Sequence, residues 1–568
     1  MILSKINNLE FHEEELNNIL ENLNNLINDL LSETSTTNQL QIIDEINKSR
    51  DHYLTLYWCS YLGYLKNIQD EKYLSSEKLF GQIDPKYNNL IYKYYQSLDK
   101  LKKQDLIDAI GQRTFDLAHN QSMLLNDENN EFIAKERELC REYRKLIIGT
   151  KFEFNQETIN LSKLSKYFKN NDRQLRKQAY DKRFEVLLSI QNSINNIVDE
   201  LVKIRTKIAN NLNLNNYKEY GFIKMNRLGY NEKDLNKFKA NVVKYFVPLM
   251  NKLRKKQQER LKLDAIQYYD ENYLFDDGNA VPKLQLNDLI ETLKNIYLEI
   301  DQDIYNLFCN MYDNGLIDLE NRENKSNGGL TTYLPDFKYP TFIKKYQDLE
   351  ENFTSITHEF GHSVQLYFSK NQKYHENRWP TFDICEIHST SMELLMYPYI
   401  DQIFKNDSNK YYIRHLTSLI NTIILMCATD DFQSKIYEKP NMNHTQRNNT
   451  WKEIYKRYFP ECNYDHKYYE LGIMWQSDSN RIDDPFYGID YSLATISALS
   501  FYKKELTDKN KAIKDYINLC KEGGSKSLKL LIHDYNLCNP FVESDIKQLS
   551  EFIAKEIDKY IFASKNKI

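Results

Sequence analysis

The chain has 568 residues, a formal net charge of −5 and a pI near 6.2, so no net positive field draws it to nucleic acid or to an anionic membrane. Glycine (15) and proline (11) fall far below the roughly 12 % of average usage, which excludes collagen-like and Gly/Pro-rich disordered chains and argues against a turn-rich sandwich or propeller. With 41 % hydrophobic and 28 % charged residues, the composition is that of a large, mainly α globular protein. The eight cysteines are spread singly, with no C-x-x-C pair, as in a reducing compartment. No run of about 18 apolar residues occurs, and the first residues turn acidic before any apolar stretch. The expectation is a cytoplasmic protein with no signal peptide and no membrane span.

Along the chain, Leu16, Ile19, Leu20, Leu23, Leu26, Ile27, Leu30 and Leu31 recur at gaps of three and four, one apolar stripe on a helix packed in a bundle. Similar texture over 39–68, 84–105 and 131–148 predicts more helices, and 156–263 again reads as long helices. The texture breaks at 320–346, where Gly328 and Gly329 precede alternating and aromatic residues punctuated by Pro335 and Pro340. That pattern predicts a small β-sheet, a candidate wall for a cleft. The two glycines either let backbone approach a substrate or simply turn the chain.

The strongest motif follows at once: His358-Glu359-Phe360-Gly361-His362, an H-E-x-x-H match. On a helix, residues four apart point the same way, so both imidazoles can hold one zinc ion while Glu359 flanks the reacting water as general base. Phe353, Ile356, Phe360, Val364 and Phe368 form an apolar stripe roughly 160° away from the histidines, which glues one face to a core and turns the other toward a cleft. A catalytic zinc site needs a third protein ligand. If the helix runs on past His362 and returns after 371–380 with Thr381 or Asp383 as N-cap, Glu386 reaches the level of the metal. Glu393 lies on the same face two turns further on, placed to fix a histidine tautomer. His388 points away and reads as structural or solvent-facing; His375 reads as an incidental loop residue.

In the order FIKMNRLGYNEKDLNKF, KLDAIQYYD, GGLTTYLPDFKYP, HEFGHSVQ, RWPTFDICEIHSTSME and PFYGIDYSLA, the sequence resembles the M3 family of zinc metallopeptidases, in its oligoendopeptidase F-like branch, from about residue 154 to 505. The resemblance implies a zincin-like, mostly helical body around a deep substrate channel, with 1–190 an N-terminal helical region and 191–568 the catalytic domain. It implies one zinc ion per chain on His358, His362 and Glu386, with Glu359 as base, and hydrolysis of internal bonds in short unstructured peptides. Tyr487 and Tyr491, four apart in Pro485–Tyr491, are the expected oxyanion donors. Three positions depart from the family pattern. Asn480 stands where relatives carry a histidine, Leu330 replaces an aromatic after the glycines, and Lys344-Lys345-Tyr346 replaces a polar stretch. These departures leave open a zinc- and peptide-binding protein of the same fold with little turnover.

Overall fold

A computed structural model describes residues 2–326, 329–347, 349–462 and 464–565. Helices dominate it, and their ends follow local chemistry. The first long one, Glu13–Ser32, begins with Glu13, Glu14 and Glu15 against the positive end of its dipole and buries Leu16, Leu20, Leu23, Ile27 and Leu30. The predicted helix at 131–148 lies within Asn130–Gly149, while those at 39–68 and 84–105 overlap Thr36–Lys66 and Glu71–Lys100 but overrun their C-terminal ends, and the latter helix begins 13 residues before the predicted start. Asp70 caps the second of these, accepting from the Lys72 amide. The helices between residues 13 and 122 enclose a core of their own, from Leu16 to Ala118, into which Tyr374 also reaches.

The long-helix reading of 156–263 misses a two-stranded hairpin, β1 (Lys151–Phe154) against β2 (Glu157–Asn160). Its turn holds Asn155 and Gln156 at φ 51° and 64°, a left-handed pair for which Asn-Gln is a weak sequence signal beside Asn-Gly.

The small sheet of 320–346 exists and starts slightly earlier. β3 (Ile317–Asp318) runs parallel to the central β5 (Tyr339–Ile343), and β4 (Leu330–Leu334) lies antiparallel on its other side as an edge strand. Behind the sheet runs the motif helix, Glu350–Phe368, whose Phe353, Ile356, Phe360 and Val364 are fully buried in the main core. Phe360 packs on Tyr297 and Phe308 at centroid distances of 4.4 and 5.1 Å. The chain turns through a short helix, His375–Arg378, and comes back as the return helix, Phe382–Leu395, with Thr381 at its N-cap position. A third helix, Gly488–Glu505, packs against the return helix. No described helix is long and apolar enough to cross a membrane.

Candidate metal centre and active site

The motif helix presents His358 and His362 on one face, their rings 4.9 Å apart and nearly perpendicular. Opposite them the return helix places Glu386, whose Oε2 lies 3.2 Å from His358 Nε2 and 3.5 Å from His362 Nε2. The edge of a tetrahedron with bonds of about 2.0–2.1 Å is about 3.3 Å, so both His–Glu separations match the spacing a zinc-sized ion needs, and all three donors lie within 4.8 Å of one another. A His-His-Glu donor set suits the same ion. Glu386 is buried, and burial works against its charge. The two histidines and the Ser389 hydroxyl, which donates at 2.9 Å, outweigh that and hold its pKa to about 2.

Each ligand is held from behind. His358 donates from Nδ1 to Glu393 Oε1 at 2.6 Å, which leaves Nε2 facing the other donors. Glu393 also accepts from His415 Nε2 at 2.7 Å, and Tyr397 donates to His415 Nδ1 at 2.8 Å. His362 Nδ1 faces Cys385 Sγ at 3.4 Å. The close approach of the two helices depends on Gly361: a Cβ there would lie 2.7 Å from Ser389 Cα and 2.8 Å from the His388 carbonyl oxygen. His388 itself is fully buried rather than solvent-facing, so its structural reading stands and the solvent-facing one does not.

Glu359 takes a hydrogen bond from Thr331 Oγ1 at 2.5 Å on Oε2. Its Oε1 turns toward Gly329, where a Cβ would sit only 2.8 Å away. A side chain at this position would displace that carboxylate or the Lys344 side chain, whose Cδ would lie 3.1 Å away. Gly328 lies outside the described residues.

Tyr487 donates to Glu386 Oε1 at 3.5 Å, and its hydroxyl is 2.9 Å from that of Tyr491, so both phenols stand beside the ligand carboxylate. Burial first, then the Glu386 charge, raises the pKa of both and keeps them as proton-bearing donors. Their placement depends on Phe486, a non-glycine residue at φ 73°. Arg227 donates to its carbonyl oxygen and, at 3.2 Å, to Asp490, while the Gln433 side chain accepts from its amide at 2.9 Å. The backbone of Asn480 belongs to the short helix Ser479–Ile482; its side chain lies outside the described atoms. Sequence reasoning named neither Thr331, Cys385, His415 nor Arg227 as site residues, because no spacing rule ties them to the motif.

Against known proteins, the family model described as Peptidase family M3 matches residues 166–551, and that of the Peptidase M3 N-terminal domain matches 6–125. The chain belongs to peptidase family M3. An oligoendopeptidase F homolog of Borreliella burgdorferi is 23 % identical over 71 % of this chain and 69 % of its own length. Oligopeptidase PepF of Bacillus subtilis is 21 % identical over 66 % of this chain and 55 % of its own. The structure of PZ peptidase A with an inhibitor superposes at a TM-score of 0.91, with 31 % identity over 98 % of this chain and 99 % of that one. This M3 protein is of the oligoendopeptidase F-like kind, a mainly α, zincin-like metalloendopeptidase that hydrolyses oligopeptides.

Proposed function

We propose that the M3 endopeptidase works with one zinc ion per chain, held by His358, His362 and Glu386, on short unstructured peptides in the cytoplasm. The observation that carries the reading is the convergence of three donor atoms within 4.8 Å of one another, with both His–Glu separations near a tetrahedral edge. Zinc in such a site supplies Lewis acidity, with a water pKa near ~7 and positive charge for a developing oxyanion. The chain's own residues do the rest. Glu359, steadied by Thr331 through Oε2, takes the proton of the attacking water and passes it to the leaving amine. Tyr487 and Tyr491 donate to the carbonyl oxygen as it gains charge. Glu393 keeps His358 in the tautomer that leaves Nε2 free. The edge strand β4, which begins beside Glu359, offers its outer backbone edge to an extended peptide, which suits an unstructured chain and not a folded one. A helical region over 1–190 that roofs the cleft, ahead of a catalytic domain, belongs to the same reading; the separate core of the first helices, Leu16 to Ala118, supports a distinct N-terminal unit but not the boundary at 190. Cytoplasmic residence fits eight free thiols.

Metal content and cleavage of a quenched peptide test the reading together. His358→Ala and His362→Ala should lose both zinc and activity. Glu359→Gln should retain about one zinc and lose ~100–10,000-fold in kcat. Zinc-free but folded Glu359→Gln, or a chelator-treated wild type that still cleaves, overturns the assignment.

A further inference from the structure

A cavity of about 830 Å³ lies between the β2 end of the hairpin and the segment that follows β5, and it adjoins the active site. Lys344 lines it, and Lys344 Cδ comes within 3.1 Å of the point where a side chain on Gly329 would begin, the same point that Glu359 Oε1 approaches to 2.8 Å. Lys344 thus joins the wall of this cavity to the Gly329–Glu359 side of the active site.

Its walls are electrically unbalanced. Among the described lining residues, Lys163, Lys166, Lys169, Lys344 and Lys345 face two carboxylates, Glu157 and Glu351. Both carboxylates are already engaged: Glu157 pairs with Lys166 at 3.1 Å, and Glu351 pairs with Lys169 and, at 3.9 Å, with Arg414. Lys163, Lys344 and Lys345 have no carboxylate within 4.0 Å of their ammonium groups among the described residues, which leaves the described lining with an excess of positive charge. A concave site with an excess of one charge concentrates the field on whatever enters.

We propose that this cavity is a specificity subsite that captures peptide carboxylates, drawing the enzyme toward substrates with acidic residues within about four positions of the cleaved bond, all on one side of it. The spacing follows from an extended chain advancing about 3.3 Å per residue from Gly329 into the cavity. The proposal rests on the endopeptidase reading above. Two sources of carboxylate share this chemistry, the Asp or Glu side chain and the free end of a short peptide.

The test uses full-length zinc-loaded enzyme and a set of quenched nonapeptides with blocked ends. A Gln-Gln pair is replaced by Glu-Glu or Lys-Lys on either side of the cleaved bond, and one further peptide keeps Gln-Gln with a free carboxyl terminus. On one side only, Glu-Glu should raise kcat/KM about tenfold over Gln-Gln, chiefly through KM, and Lys-Lys should lower it. At about 0.5 M salt the spread should shrink, because the Debye length falls well below the size of the cavity. Lys163→Glu and Lys345→Glu, made separately and checked for unchanged thermal unfolding, should each lower the Glu-to-Lys preference several-fold. A gain seen only with the free-terminus peptide supports carboxylate capture and assigns it to the chain end. Equal kcat/KM for all peptides, or an acidic preference that survives both charge reversals, overturns the proposal while leaving an active endopeptidase. No cleavage of any peptide, Gln-Gln included, would instead count against the catalytic reading.

Discussion

Two carboxylates of one helix, seven residues apart, do different work at this site because each meets the histidines from a different side. Glu386 reaches the Nε2 atoms of both His358 and His362, whereas Glu393 reaches only His358 Nδ1 and shares its second oxygen with His415. Removing Glu386 therefore deletes a ligand, and removing Glu393 frees a ring to turn. Glu386→Ala should bind zinc far more weakly than Glu393→Ala, whose loss should stay within the ~10–100-fold typical of residues that support a ligand. A metal titration in which Glu393→Ala is the more damaged protein reverses the two roles. At this scale helical periodicity carries most of the information: spacings of one, four and seven residues along two helices place His358, Glu359, His362, Glu386 and Glu393. Thr331, Cys385, His415 and Arg227 escape it because they arrive from other elements, or from a neighbouring position on the same one, and any of their residue types is common elsewhere in the chain.

Between elements, the decisive contact is the pairing of the motif and return helices, and Gly361 sits at its closest point. A Cβ would meet Ser389 Cα and the His388 carbonyl oxygen, both backbone, and Met392 Cβ at 2.9 Å, none of which a side-chain rotation moves away. Gly361→Ala should force the helices apart, at about 1–3 kcal/mol of stability, and weaken zinc affinity because Glu386 moves with Ser389. Gly81, exposed in the middle of the helix Glu71–Lys100 with open space around it, is the matched control. Gly81→Ala should stabilise by up to about 1 kcal/mol through helix propensity alone. Opposite signs in thermal unfolding are expected, and zinc affinity should fall only in Gly361→Ala; equal effects would remove the packing argument. The sequence showed that a sheet precedes the motif helix, because turn residues and β-prone runs alternate there. It did not reveal the earlier β1–β2 hairpin, whose turn lacks glycine and relies on Asn155 and Gln156 accepting left-handed backbone.

Across the whole molecule, the segment joining the two helices of the metal site is gripped by the N-terminal helices. Arg50 donates to Glu376 Oε1 at 2.7 Å and Tyr95 to the same oxygen at 2.9 Å; Arg378 donates to Asp51 at 2.6 Å; Tyr374 enters the N-terminal core. These partners lie about three hundred residues apart in sequence, which is why no local pattern announces them. Arg50 and Glu376 are both buried. Burial disfavours the Glu376 charge, yet Arg50, then His375, prevail and hold its pKa to about 2, below an ordinary value of 4.5. A carboxyl depressed in the folded state contributes stability that is fully present above its unfolded pKa and is lost as pH falls through the folded one. For Glu376 the window runs from about 4.5 down to about 2. Glu376→Gln keeps the shape but leaves the Arg50 guanidinium buried without its counter-charge, a change that typically costs ~3–5 kcal/mol. The variant should thus unfold at a clearly lower temperature than wild type at neutral pH. As pH drops through the window the wild-type carboxyl takes up a proton, its advantage shrinks, and the two melting temperatures should converge. Because the gripped segment also sets how the return helix meets the motif helix, zinc affinity of Glu376→Gln at neutral pH should fall with its stability. A melting-temperature gap that stays constant from pH 7 to the lowest pH at which both proteins fold would show that the Arg50–Glu376 pair contributes through packing and not through charge.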